Sequence, residues 1–266
     1  MLDVDGLLID LDGTVYQGSA PIPGAVDAIR RLDEAGIPVL FTTNTSRKPR
    51  RAVVEGLVAL GIHIEPDRVL TAPVAAARWL ASEGLRRILP LLPEATHEDL
   101  AALEMVGAEG SPDAVVVGDL GSGFTFERLN GAFLALRDGA RLIAVHRNRW
   151  WLPDGGPTLD AGPFVVALEY ATRVDAVLVG KPAPAFFETA AELLGVARGR
   201  LAVVGDDPES DVRGARAAGI TAVQVETGKF DPALARSATS EERPDRRIAS
   251  IADLPDLVIR GDDAGH

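Results

Sequence analysis

The sequence predicts an α/β protein built on a doubly wound parallel sheet. Three observations carry that expectation. Short apolar runs alternate with longer amphipathic stretches along the 266 residues. The short runs are continuously apolar, as strands covered on both faces of a parallel sheet are. The amphipathic stretches repeatedly stop at a glycine, the residue that closes a helix at least steric cost.

In chain order, Gly6–Asp10 (GLLID) reads as a strand. Residues 24–35 follow as a helix, with Ala25, Ile29 and Leu32 on one face and Gly36 as the stop. Residues 38–42 are a second strand, 49–60 a second helix ending at Gly61, and 69–71 a short strand. Residues 73–82 form a helix with proline in its first turn. The alternation resumes near the end, with strands at 176–179, 201–204 and 221–225. Helices at 185–194 and 209–218 lie between them, closed by Gly195 and Gly219.

The middle block carries strands at 87–92, 115–117 and 142–145, helices at 97–106 and 126–137, and a turn at 154–157 (DGGP). Periodicity leaves two arrangements open for it: more of the same sheet, or a smaller α/β domain inserted into the core. Residues 230–247 are polar, carry two prolines and read as a surface loop. Residues 260–266 read as a frayed tail, in which Arg260-Gly261-Asp262 is a chance triplet.

Composition narrows the function. Apolar residues make up 47% and charged residues 25%, an ordinary globular balance. The chain has no cysteine, which excludes a disulfide framework, a cysteine nucleophile and a thiolate metal site. With 27 Lys and Arg against 39 Asp and Glu, the net charge of −12 opposes binding to nucleic acid or an anionic membrane. No apolar run approaches the ~18 residues of a membrane span. The opening carries Asp3 and Asp5 rather than a basic and then apolar segment, so no signal peptide and a cytoplasmic location are expected. There is no GxxxxGK[ST], no GxSxG and no HExxH, and Gly118, Gly121 and Gly123 do not complete GxGxxG.

Four strand ends carry chemistry, and open α/β sheets bind ligands there. The first is Asp10-Leu11-Asp12-Gly13-Thr14. Two carboxylates two residues apart point the same way while the chain is extended, and they repel unless a cation or a proton intervenes. One suits a nucleophile or metal ligand, the other a general acid/base. Asp-Gly is also ordinary turn chemistry. The second is Thr42-Thr43-Asn44, whose hydroxyl and amide can hold phosphate oxygens, or equally cap a helix. The third, Gly180-Lys181-Pro182, offers a compact cation for an anion, as any solvated lysine could. The fourth, Gly205-Asp206-Asp207-Pro208-Glu209-Ser210-Asp211, gathers hard oxygen donors suited to Mg²⁺, although acids also favour helix N-termini.

Taken in order, DxDGT, Thr-Asn, Gly-Lys-Pro and GDxxxxD resemble the haloacid dehalogenase superfamily of aspartyl-phosphate hydrolases, over nearly the whole chain. The long block between Thr43 and Lys181 resembles the larger α/β cap of its NagD-like subfamily. The resemblance therefore implies a Rossmann-like core of residues 1–79 and 175–266 with an inserted smaller α/β cap at 80–174. The stretches 145–151, 159–164, 167–172 and 227–230 resemble one branch. It contains haloacid dehalogenase-like hydrolase domain-containing protein 2 and phospholysine phosphohistidine inorganic pyrophosphate phosphatase. Animal members of that branch often carry Ser at the second acid, whereas this chain keeps Asp12, so an N–P substrate is not carried over.

The resemblance implies Asp10 as nucleophile and Asp12 as general acid/base, with Thr43 and Lys181 holding the phosphoryl oxygens. It implies Mg²⁺ held by Asp10, the backbone carbonyl of Asp12 and Asp206, with Asp211 behind these ligands or acting through water. Asp207 takes a minor part. Asn44, Asn148 and Trp151 are candidates for recognising the leaving group. The His146–Trp151 stretch could equally be a folded cap strand with Trp150 packed inside. The basic run Arg47, Lys48, Arg50 and Arg51 reads as a solvated edge or a steering patch. The expected activity is Mg²⁺-dependent hydrolysis of a small phosphorylated metabolite. A phosphotransferase using the same aspartyl-phosphate, or a non-catalytic phosphometabolite-binding protein, remain the alternatives. A homodimer through the cap is the assembly common in the subfamily.

Overall fold

The computed structural model describes residues 1–151 and 156–259. The chain divides into two compact units: residues 1–43, 54–70 and 187–266, and residues 44–53 and 71–186.

The first unit is organised by a six-stranded sheet in the order Arg246–Ile248, Thr221–Val225, Leu201–Gly205, Gly6–Asp10, Val39–Thr43, Val69–Thr71. The central pairings are parallel, with Leu8 beside Val203 on one side and Leu40 on the other. Every residue of Gly6–Asp10, Val39–Thr43 and Leu201–Gly205 is buried. That is why these strands read as unbroken apolar runs. The chain leaves Gly6–Asp10 toward Val39–Thr43 and later returns to its other side at Leu201–Gly205, which makes this the switch point of the sheet. Asp10 pairs with Thr42, so the carboxyl ends of the adjacent strands finish at one level. The helix Ala25–Glu34 buries Ala25, Ala28, Ile29 and Leu32, the face expected from its spacing.

Two expectations in this unit change. The helix anticipated over 209–218 is a wide-turned π-helix, Pro208–Arg213, followed by a short α-helix, Gly214–Ala217. The anticipated loop 230–247 contains a helix, Pro232–Ser237, whose Asp231 accepts from the Ala233 N–H at 2.7 Å. The edge strand Arg246–Ile248 begins within it.

The second unit has its own parallel sheet, in the order Val177–Leu178, Arg141–Ala144, Ala114–Val117, Arg87–Leu91, Glu104–Met105. Alternate residues feed two cores. Ala114 and Val116 pack with Ala76 and Leu80 of the helix Ala72–Ser82. Val115 and Val117 pack with Ala132 and Leu136 of Phe126–Arg137 and with Val165 and Leu168 of Ala161–Thr172.

The strand expected at 176–179 belongs to this sheet, beside Arg141–Ala144, and not to the six-stranded one. The helix expected at 97–106 is instead a 3₁₀ segment, Glu94–Leu100, followed by the edge strand Glu104–Met105. Leu100 and Leu103 are the buried apolar residues there, and a spacing of three fits both patterns. Asp154 and Gly155 of the expected turn, and the tail 260–266 with its triplet, lie outside the described residues. Among the described residues, no helix is long and apolar enough to cross a membrane.

Candidate active site

The carboxylates of Asp10, Asp206 and Asp211 converge, with one oxygen from each lying within 4.8 Å of the others. Sheet register explains the first two. Asp10 ends its strand, and Asp206 follows the neighbouring strand Leu201–Gly205, which pairs in parallel with it. Asp211 arrives from the π-helix. Pro208 opens that helix, and Asp207 accepts from the Glu209 and Ser210 N–H groups at 2.9 and 3.1 Å. The wide first turn lets the Asp211 carboxylate fold back to accept from the Asp207 N–H at 3.2 Å. All three acids are buried.

Burial and mutual repulsion dominate the electrostatics. Burial, then the charges of Asp10 and Asp211, push the Asp206 carboxyl up to about 8. A buried triad of hard oxygen donors with such a surplus of negative charge fits a small divalent cation such as Mg²⁺.

A loop the sequence reading left without a role locks this cluster. The Lys229 N–H donates to Asp206 Oδ2 at 2.6 Å, and Lys229 Nζ pairs with Asp207 at 2.8 Å. Burial alone would raise the Asp207 carboxyl, but Lys229 outweighs it and holds the group below its usual range. The Thr227 hydroxyl donates to the Gly13 carbonyl at 2.6 Å. Gly13 and Gly228 then press their backbones against Asp206. A Cβ on either would lie 2.2 or 2.1 Å from Asp206 Oδ2, and both glycines have positive φ, 88° and 60°. The sequence signal for this loop is Thr227-Gly228-Lys229-Phe230, part of the branch resemblance.

The remaining expected residues fall as follows. Asp12 is exposed at the turn after the first strand and bridges Tyr16. Burial, then Asp12 and Asp10, raise the Tyr16 phenol well above its ordinary value. Thr43 ends its strand in the first unit and is buried. In the second unit, Lys181 is buried, and the Asn44 amide is bonded to the Lys181 backbone. Asn148 is exposed, and its carbonyl accepts from the Gly162 N–H at 2.9 Å. Trp151 lies under the Arg47 guanidinium, 4.8 Å from its carbon to the ring centroid. Trp150 is 58% exposed, so the reading that packs it inside fails. Trp150–Trp151 is instead one arm of a two-residue ribbon with Thr158–Leu159.

The basic run is exposed at Arg47, Lys48 and Arg51, and two of its arginines form ion pairs. Arg47 pairs with buried Asp119 at 2.9 Å, and Arg51 with Glu98 at 3.5 Å. The Arg50 N–H is capped by Asp99 at 2.9 Å. Burial raises the Asp99 carboxyl despite that bond.

Comparison with known proteins is consistent with this geometry. A family model described as haloacid dehalogenase-like hydrolase matches residues 7–106, and a second, HAD-hydrolase-like, matches residues 178–254. The rat phospholysine phosphohistidine inorganic pyrophosphate phosphatase is 35% identical over 263 residues, covering 97% of this chain and 95% of that protein. The chain belongs to the haloacid dehalogenase-like hydrolases. Among solved structures, the p-nitrophenyl phosphatase from Archaeoglobus fulgidus superposes with a TM-score of 0.90 at 30% identity, over 97% of this chain and all of that one (100%). A glycerol phosphate phosphatase from Mycobacterium tuberculosis, in complex with magnesium, has a TM-score of 0.86 at 34% identity, covering 95% of this chain and 76% of that one. The relatives are phosphatases, and this chain is an enzyme of that class within the family.

Proposed function

We propose that this chain hydrolyses a small phosphorylated metabolite through an aspartyl-phosphate on Asp10, with Mg²⁺ as the resident cation. The observation that carries the reading is the buried triad Asp10, Asp206 and Asp211 at the carboxyl edge of the sheet's switch point. The M. tuberculosis relative has been solved with magnesium and with calcium, which supports a divalent cation.

An Asp10 oxygen attacks phosphorus and the bond to the leaving oxygen breaks. Asp12 gives its proton to that oxygen, releasing an alcohol. Asp12 then takes a proton from water as the water oxygen attacks the same phosphorus. The P–O bond to Asp10 breaks, phosphate leaves and the carboxylate is regenerated. Thr43 and Lys181 hold the phosphoryl oxygens. Phosphoryl transfer of this kind is mostly positioning and charge stabilisation. Asp10, the Asp12 carbonyl and Asp206 would hold the cation, with Asp211 acting behind them or through water, and the cation would offset the repulsion between a carboxylate and a phosphate dianion. Residues 80–174, together with the flanking Ala72–Ser82 and Val177–Leu178 that share their sheet and core, form the inserted cap domain. Asn148 and Trp151, on that cap, read the leaving group.

The test is phosphate release from 4-nitrophenyl phosphate. Activity with Mg²⁺ that disappears in excess EDTA is expected. Full activity in EDTA would overturn the metal-assisted reading.

A further inference from the structure

Asn44 is the residue whose placement departs most from its expected role. Its amide makes two bonds to one backbone residue: Nδ2 donates to the Lys181 carbonyl at 2.8 Å, and the Lys181 N–H donates to Oδ1 at 2.9 Å. Only one orientation of the amide satisfies both, because the backbone fixes which partner donates. The pair copies a β-bridge across 137 residues of sequence. Lys181 is 2% exposed, so water offers its backbone no substitute. Gly180 brings the chain close enough: a Cβ there would sit 2.0 Å from the Val145 carbonyl and 2.9 Å from Asn44 Oδ1. Lys181 lies just past the end of Val177–Leu178, and Asn44 just past the end of Val39–Thr43. Beyond the strand ends, each supplies the other with hydrogen-bond partners.

We infer that Asn44 is a positioning residue that fixes the Lys181 backbone, and so its ammonium, for the transferring phosphoryl group. It does not read the leaving group. This inference rests on the proposed function for the role of Lys181, but the clamp itself does not. Asn44 follows Thr43 directly in the chain, the other residue proposed to hold the phosphoryl oxygens. Misplacing such a group by ~1 Å costs on the order of a hundredfold in rate.

The test is Asn44→Ala on a panel of phosphomonoesters with unlike leaving groups (4-nitrophenyl, glycerol and sugar phosphates), beside Lys181→Ala and the double variant. Binding of inorganic phosphate is measured by calorimetry in all four proteins. The expected result is a common loss in kcat/KM of roughly 10- to 100-fold across the panel. Phosphate binding weakens in parallel, and Asn44→Ala adds nothing in the Lys181→Ala background. A loss that varies with the leaving group, unchanged phosphate binding, or equal losses in both backgrounds would each overturn the inference. If the alanine variant does not fold, Asn44→Ser is held to the same criteria. Wild-type protein inactive on the whole panel would sink the phosphatase reading, while the calorimetric arm still judges the clamp.

Discussion

Metal binding should tighten steeply with pH and then level off near pH 8. The perturbation is pH alone, and the group responsible is Asp206, whose carboxyl burial and its acidic neighbours push up to about 8. A carboxyl ligand must lose its proton before it coordinates, so protons compete with the cation. The apparent Kd then scales as the reciprocal of the deprotonated fraction. It should fall roughly 50-fold from pH 6 to pH 8, and by less than about twofold from pH 8 to pH 9. Calorimetric Mg²⁺ titrations at four pH values, in buffers of different ionisation enthalpy, give both the affinity and the protons released. About one proton per ion should leave at pH 6, and few at pH 9. The metal-free protein should show the opposite trend in stability. The folded pKa of Asp206 lies above its unfolded value of 3.8, so its contribution is full below that value and is lost as pH rises to about 8. Equal affinity at pH 6 and pH 8 with no proton release would refute the reasoning.

Two further outcomes follow from the same packing. Gly228→Ala places a methyl 2.1 Å from Asp206 Oδ2 at a φ of 60°, so Mg²⁺ affinity measured by calorimetry should drop at least about tenfold, with roughly 1–3 kcal/mol lost in urea unfolding. Asp119→Ala removes the acceptor shared by Arg47 and the Gly121 N–H, at 2.9 and 3.0 Å, and should cost about 1–3 kcal/mol in urea unfolding while sparing Mg²⁺ affinity.

Much of the architecture was legible because it depends on local pattern. Gly6–Asp10, Val69–Thr71, Thr221–Val225 and Phe126–Arg137 fall where continuous burial or helical spacing placed them. The order of carboxylates at strand ends foretold the Asp10, Asp206 and Asp211 cluster. The misses share a cause. At residues 97–106 a three-residue apolar spacing served a 3₁₀ turn and an edge strand as well as a helix. The strand at 177–178 looked like any core strand, and only its pairing with Arg141–Ala144 assigns it. The clamps made by Asn44 and Lys229 run to or from backbone atoms, which carry no residue signature. The π-helix depends on Asp207 capping two N–H groups at once, a choice spacing does not encode.

The central claim is that Asp10 becomes phosphorylated during turnover. Acid quenching of the Mg²⁺-loaded enzyme at steady state, followed by peptide mass spectrometry, tests it directly. The expected result is a hydroxylamine-labile phosphoryl group on the peptide containing Asp10, absent from Asp10→Asn, which also releases no phosphate. A label elsewhere, or turnover by Asp10→Asn at the wild-type rate, would contradict the account.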